Sequence, residues 1–123
     1  MPSFDYYSDD ESRALIGAMI EILKEPTAWA QGVGARDEFG NMIDCRKAEA
    51  ISFCLAGALY RAAHRLGLPH PIGEQHIPYY RQTRDLLVRE CGNVWFMGWN
   101  DVRERTHADV LAMLNRCLIR VQP

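Results

Sequence analysis

From about Arg46 to Leu66 the chain carries the stretch AEAISFCLAGALYRAAHRL, and from Ala50 to Tyr60 it is apolar on nearly every side. A helix without a wet face has to sit in the middle of a fold, with the other elements packed around it. The spacing therefore predicts a central, buried helix over about 46–66. Asp44 is placed to cap its start. Gly67 supplies a left-handed residue at its end, and Pro69 blocks continuation. Within it, Ala56-Gly57-Ala58 would let a neighbouring backbone come unusually close.

The elements that surround it follow from the same kind of pattern. Ser8-Asp9-Asp10-Glu11 is a capping box, in which serine and glutamate satisfy each other's end of a first turn. The helix it opens runs to about Lys24. Leu15, Ile16, Met19, Ile20, Ile22 and Leu23 form its apolar face, Arg13, Gly17, Glu21 and Lys24 mark its wet side, and Pro26 ends it. A third helix spans about Tyr79 to Cys91 and stops at Gly92. The fourth begins at Thr106, whose spacing to Asp109 makes a second capping box, and its apolar face is Val110, Leu111, Met113, Leu114, Cys117 and Leu118. Between the first two helices, WAQGVGARDEFGNMID has no helical period, and Asp37 to Asn41 reads as a turn between two short strands. PHPIGEQHIPYY is a loop with three prolines. The fold class is mainly α: a compact bundle of about four helices around a buried central helix, with a small β-hairpin between helices one and two. At 123 residues the chain, 1–123, is one helical domain that removes roughly two thirds of its unfolded surface from water.

Composition removes several functions. Hydrophobic residues make up 48% and charged residues 24%, ordinary values for a soluble domain, and no apolar run approaches the ~20 residues of a membrane helix. The N-terminal MPSFDYYSDDESR is acidic and lacks the basic and apolar regions of a signal peptide. The expectation is a cytoplasmic protein with no membrane partner. Cys54, Cys91 and Cys117 sit in apolar helical runs, so these and Cys45 are expected as reduced thiols. No C-x-x-C pair offers a zinc site. Residues 1–60 hold ten acids and five bases, residues 61–123 six acids and nine bases, so the halves carry −5 and +3. That asymmetry points to charge matching within the fold or between subunits, and without a dense basic stripe no nucleic-acid partner is expected.

Three pieces in order, WAQGVGARDEFG, AISFCLAGAL and WNDVRERTHADVL, together resemble the signature of a family of short bacterial and phage proteins catalogued only as a domain of unknown function. The resemblance covers most of the chain from Trp29 to Leu118 and departs mainly at residues 68–94. Trp29, Arg36-Asp37, Phe53-Cys54, Gly57-Ala58, Asn100-Asp101 and Arg105-Thr106 match its motif positions. Because that family has no assigned activity, the resemblance implies neither a reaction nor a ligand.

Candidate residues fall into four groups. Arg36, Asp37, Asn100, Asp101 and Arg105 lie in two loops and read first as a structural clasp, with Arg36 meeting Asp101 or Asp37 meeting Arg105 through the planar guanidinium fork. The same groups could instead line a polar cleft for an anionic or peptide ligand. Around Cys54, CLAGALYRAAHRLGLP resembles the nucleophile helix of transglutaminase-like cysteine enzymes, with His76 and Asp101 following in matching order. Such chemistry needs a thiolate activated by an imidazole, usually at a helix N-terminus. Cys54 is expected about two turns into its helix, which makes it a core residue. His64, His70 and His76 with Glu74 have no standard ligand spacing, so no metal is expected. Trp95, Phe96 and Trp99 are core aromatics or interface anchors, and a split would put Trp99 inside and Trp95 or Phe96 on a partner surface.

A phosphate-binding glycine loop, a dinucleotide fingerprint, a nucleophile elbow and H-E-x-x-H are all missing, so no cofactor is expected. The leading expectation is a non-enzymatic interaction or accessory module that binds a protein partner or itself. The alternative is a small cysteine- or carboxylate-dependent hydrolase or transferase that uses the Arg36-Asp37 and Asn100-Asp101 loops with Cys54.

Overall fold

A computed structural model describes residues 9–69 and 77–121. The first helix, α1 (Asp9–Ile22), turns Leu15, Ile16 and Met19 fully inward, and Ile22 and, just past its end, Leu23 join them. Ser8, and with it the expected capping box, lies outside the described residues. The chain leaves the helix ahead of Pro26, and Pro26–Ala28 forms one tight 3-10 turn.

The central helix is shorter than its apolar run. It is α2 (Leu55–Arg65), and the segment before it is not helical. Asp44 does cap a turn, because its Oδ1 accepts the Arg46 amide at 2.8 Å and its carbonyl accepts the Lys47 amide at 3.0 Å. That turn is not propagated. Ser52–Phe53 instead forms a strand, β2, antiparallel to β1 (Ala35–Arg36), with Ala35 opposite Phe53. The misreading has a physical cause. A run apolar on nearly every side carries no period to separate strand from helix, and Ile51 and Phe53 have side chains that favour extended backbone. What remains of α2 is as central as expected: Leu55, Ala58, Leu59 and Ala62 are fully buried, and the helix packs on α1.

The expected turn at 37–41 forms, with the Asp37 amide on the Asn41 carbonyl at 2.9 Å and Gly40 at a φ of 83°. Its return limb makes only a single bridge, Arg36 to Met42, so the ladder partner of β1 is the later strand. The close backbone approach expected at Gly57 is present. A Cβ there would stand 1.9 Å from the Gly34 carbonyl oxygen, which also accepts the Cys54 amide at 3.1 Å.

Helix α3 (Pro78–Glu90) starts on a proline and ends before Gly92 and Asn93, both of which have positive φ. The VWFMGW cluster contains a short helix that the sequence reading did not anticipate, α4 (Phe96–Asn100). The last helix, α5 (His107–Arg120), begins where expected, with both halves of the Thr106–Asp109 capping box made. Val110, Met113, Leu114 and Cys117 face the core. Around α2, helix α1 also packs on α3 and α5, and α3 packs on α5. The chain is thus mainly helical with a small two-stranded antiparallel sheet between its first two longer helices. Among the described residues, no helix is long and apolar enough to cross a membrane.

Candidate functional site

The two motif loops meet, but not through the charges expected to join them. Asn100, fully buried at the end of α4, is the hub. Its side-chain oxygen accepts the Trp29 indole N–H at 2.8 Å and the Leu55 amide at 3.2 Å. Its side-chain nitrogen donates to the Ala30 carbonyl at 3.1 Å and to Asp101 Oδ1 at 2.8 Å. Gln31 Nε2 reaches back to the carbonyls of Asn100 and Val102, each at 2.9 Å, and the Gly32 amide donates to Asp101 Oδ1 at 2.9 Å. Residues 29–32, the start of α2 and residues 100–102 are therefore one hydrogen-bonded unit.

The crossed pairing of Arg36 with Asp101, or of Asp37 with Arg105, does not occur. Arg36 donates to the Gly40 carbonyl at 3.0 Å, and Asp37 Oδ1 accepts the Phe39 and Asn41 amides of its own turn. Arg105 donates to the Trp99 carbonyl at 2.9 Å and lies 3.7 Å over the Trp99 ring. Short polar side chains in turns find nearby backbone partners before distant charges, and a guanidinium gains as much from an aromatic face. Gln31 was missed altogether. Its signal was its place inside the WAQG motif, next to a tryptophan whose indole needs an acceptor.

Beside this unit a cleft of about 420 Å³ opens at the start of α2. Val33, Met42 and Met97 give it apolar walls, and Cys54, Tyr60 and Asp101 bring polar groups to it. Met42 and Met97 are both exposed, so the rim carries flexible, polarizable side chains. Asp44, also on the lining, is paired with Arg46 at 2.8 Å. Asp101 stands at the exposed end and has no cationic partner among the described residues.

Cys54 is not two turns into a helix. It is the N-cap of α2, and its Sγ accepts the Gly57 amide at 3.4 Å. A helix N-terminus normally favours a thiolate. Here burial pushes the thiol up, and the Gly57 and Ala56 amides only partly pull it back, while the Asp101 carboxylate adds to the rise. Cys45, half-buried on the same cleft, is also pushed up, by burial first and then by Asp44. Cys91 and Cys117 lie in the core, where burial pushes each thiol up to about 12. All four cysteines are free thiols.

No described imidazole reaches the Cys54 cleft. His64 is exposed near the end of α2 and lines a neighbouring hollow with Lys47 and Leu68, which shares Asp44 and Arg46 with the cleft. His107 Nε2 is 2.6 Å from the Leu23 carbonyl. His70, His76 and Glu74 lie outside the described residues, so the proposed histidine of a cysteine enzyme and the rest of the weighed zinc set are not placed. Among the described residues no three metal-ligating side chains gather.

The aromatic cluster is split, with Trp95 on the outside and Phe96 within. Phe96 is fully buried in the core, Trp95 is 48% exposed, and Trp99 is half-buried beneath Arg105. The short α4 explains the split, because its first residue, Phe96, is buried and its N-cap, Trp95, is left outside.

Compared with known proteins, the chain matches the model of a family of unknown function, DUF6197, over residues 8–119. No curated protein and no solved structure matches it.

Proposed function

The chain belongs to DUF6197, a family of unknown function, and on that footing we propose that it is a non-enzymatic interaction module that receives a side chain of a protein partner in the cleft beside α2. The observation that carries this reading is a preformed frame around an open apolar mouth. Asn100 and the Gly57–Gly34 contact fix the inner backbone, and the exposed methionines Met42 and Met97 form the rim. A frame that needs no ordering on binding avoids much of the entropic cost of association, and exposed Met adapts to its contact. The test is an NMR titration of the protein with short peptides. Amide shifts centred on Val33, Met42, Met97 and Asp101, abolished by Met97→Glu, are the expected result. Shifts centred elsewhere would overturn the reading. If sedimentation shows a dimer that the same substitution dissolves, the partner is a second copy of this chain.

One observation favours a second reading, a cysteine-dependent transfer or hydrolysis. Cys54 caps a helix in the same cleft as Asp101, which is where a nucleophile would stand. Against it, the thiol is 5% exposed and its raised pKa keeps it protonated near neutral pH. Alkylation with iodoacetamide near neutral pH, mapped by mass spectrometry, separates the readings. The module reading expects Cys54 to react more slowly than the more exposed Cys45, and the reverse order would put the enzyme reading first.

A further inference from the structure

We propose that the cleft selects a lysine side chain of the partner, with its aliphatic stem along Val33, Met42 and Met97 and its ammonium on the Asp101 carboxylate. This rests on the reading of the cleft as a binding site and names what that site recognises. The charge argument comes first. Of the two carboxylates on the lining, Asp44 is neutralised by Arg46 at 2.8 Å, and Asp101 is not paired with any cation among the described residues. The cleft therefore presents one uncompensated negative charge beside an apolar wall. The matching ligand is an apolar stem that ends in a cation, a shape in which methylenes are buried while the charged head stays near water.

The geometry of Asp101 then chooses between the two basic side chains. Its Oδ1 already accepts the Gly32 amide at 2.9 Å and Asn100 Nδ2 at 2.8 Å, which hold the carboxylate in one orientation. Only Oδ2 is left without a partner among the described residues. An arginine fork is at its best when two carboxylate oxygens each take an N–H, whereas an ammonium is a point charge that one oxygen serves. Size agrees. A cleft of about 420 Å³ lies near the lower end of the ~300–1,000 Å³ range of small-ligand sites, room for one long side chain rather than for a helix.

The experiment compares three capped tripeptides that differ only at the central residue, lysine, arginine or norleucine, together with n-butylamine, against the full chain and against Asp101→Asn. Asparagine keeps an Oδ1 acceptor for Gly32 and removes the charge. The expected result is that the lysine peptide binds about tenfold more tightly than norleucine, the size of one charge-assisted hydrogen bond. Lysine should also exceed arginine, the advantage should shrink as salt is raised, and Asp101→Asn should erase it while norleucine binds as before. Norleucine equal to lysine, or arginine tighter than lysine, overturns the selectivity while the binding-site reading stands. Butylamine as tight as the lysine peptide overturns the protein-borne source in favour of a free amine. Absence of binding by every peptide, with Asp101→Asn folded as the parent, removes the binding-site reading and this inference with it.

Discussion

Among the described residues two polar sites are fully buried, and they hold different things together. Asn100 bonds to an indole, a helix-start amide, a loop carbonyl and a carboxylate. Among the described residues the hydroxyls of Ser12 on α1 and Thr83 on α3 bond only to each other, at 3.2 Å. The helices at the second site already satisfy their own backbones, so the pair adds little that packing does not supply. The loops at the first site have no regular ladder, so their backbone groups depend on side chains, those of Asn100, Gln31 and Asp101. The lesson is that in this fold polar burial defines the cleft region, and apolar burial defines the bundle.

The comparison is tested most severely at Asn100. Asn100→Leu keeps the size and removes every side-chain bond, which leaves the Leu55 amide and the Ala30 carbonyl without partners and turns the Trp29 indole loose. Each buried group left unpaired costs ~1–3 kcal/mol, so a loss of about 3–5 kcal/mol is expected in urea unfolding. A loss below about 1 kcal/mol would mean that water replaces the amide, and the contrast between the two sites would collapse.

A gentler pair of substitutions asks the same question of glycine. Gly57→Ala would press a Cβ against the Gly34 backbone oxygen, and because backbone has to move, a loss of about 1–3 kcal/mol in stability is expected. Gly17→Ala on α1 meets nothing within 4 Å and replaces the poorer helix former, so a gain of up to about 1 kcal/mol is expected. Thermal melts of the two variants should move in opposite directions. If both move upward, the frame beside the cleft is looser than the Gly34 contact implies.

How much of this was legible in the sequence follows the same division. α1 and α5 declared themselves, because each has a regular apolar face and α5 has a capping box whose two bonds are both made. α2 was found, but Arg46 to Cys54 were wrongly included, since a run apolar on nearly every side hides the period that tells strand from helix. That single error hid the N-cap position of Cys54, the fact on which the second functional reading turns. α4 has five residues, too few to display a period at all. At the site, Asn100-Asp101 meets residues 29–32 rather than Arg36-Asp37, whereas the sequence pointed to charge as the connector. Arg36 and Asp37 spend their bonds within one turn, and the buried amide of Asn100 joins the loops instead. Sequence order shows which loops carry polar groups, but the choice of partner depends on three-dimensional distances that a turn settles locally.

The smallest expected effect lies on the bundle side. Thr83→Val keeps the β-branched shape but leaves the Ser12 hydroxyl buried without its partner, so the single substitution should cost about 1 kcal/mol or somewhat more. Adding Ser12→Ala removes the stranded hydroxyl as well. When both partners give way to apolar groups of similar shape, the desolvation term disappears along with the bond, and the pair can be nearly neutral. The double variant should therefore lie within about 0.5 kcal/mol of the parent and above the Thr83→Val single, a coupling that a double-mutant cycle in urea reads directly. Two costs that simply add would show that these hydroxyls support structure in the way Asn100 does, and that the helical bundle depends on polar specification as much as the loops around the cleft.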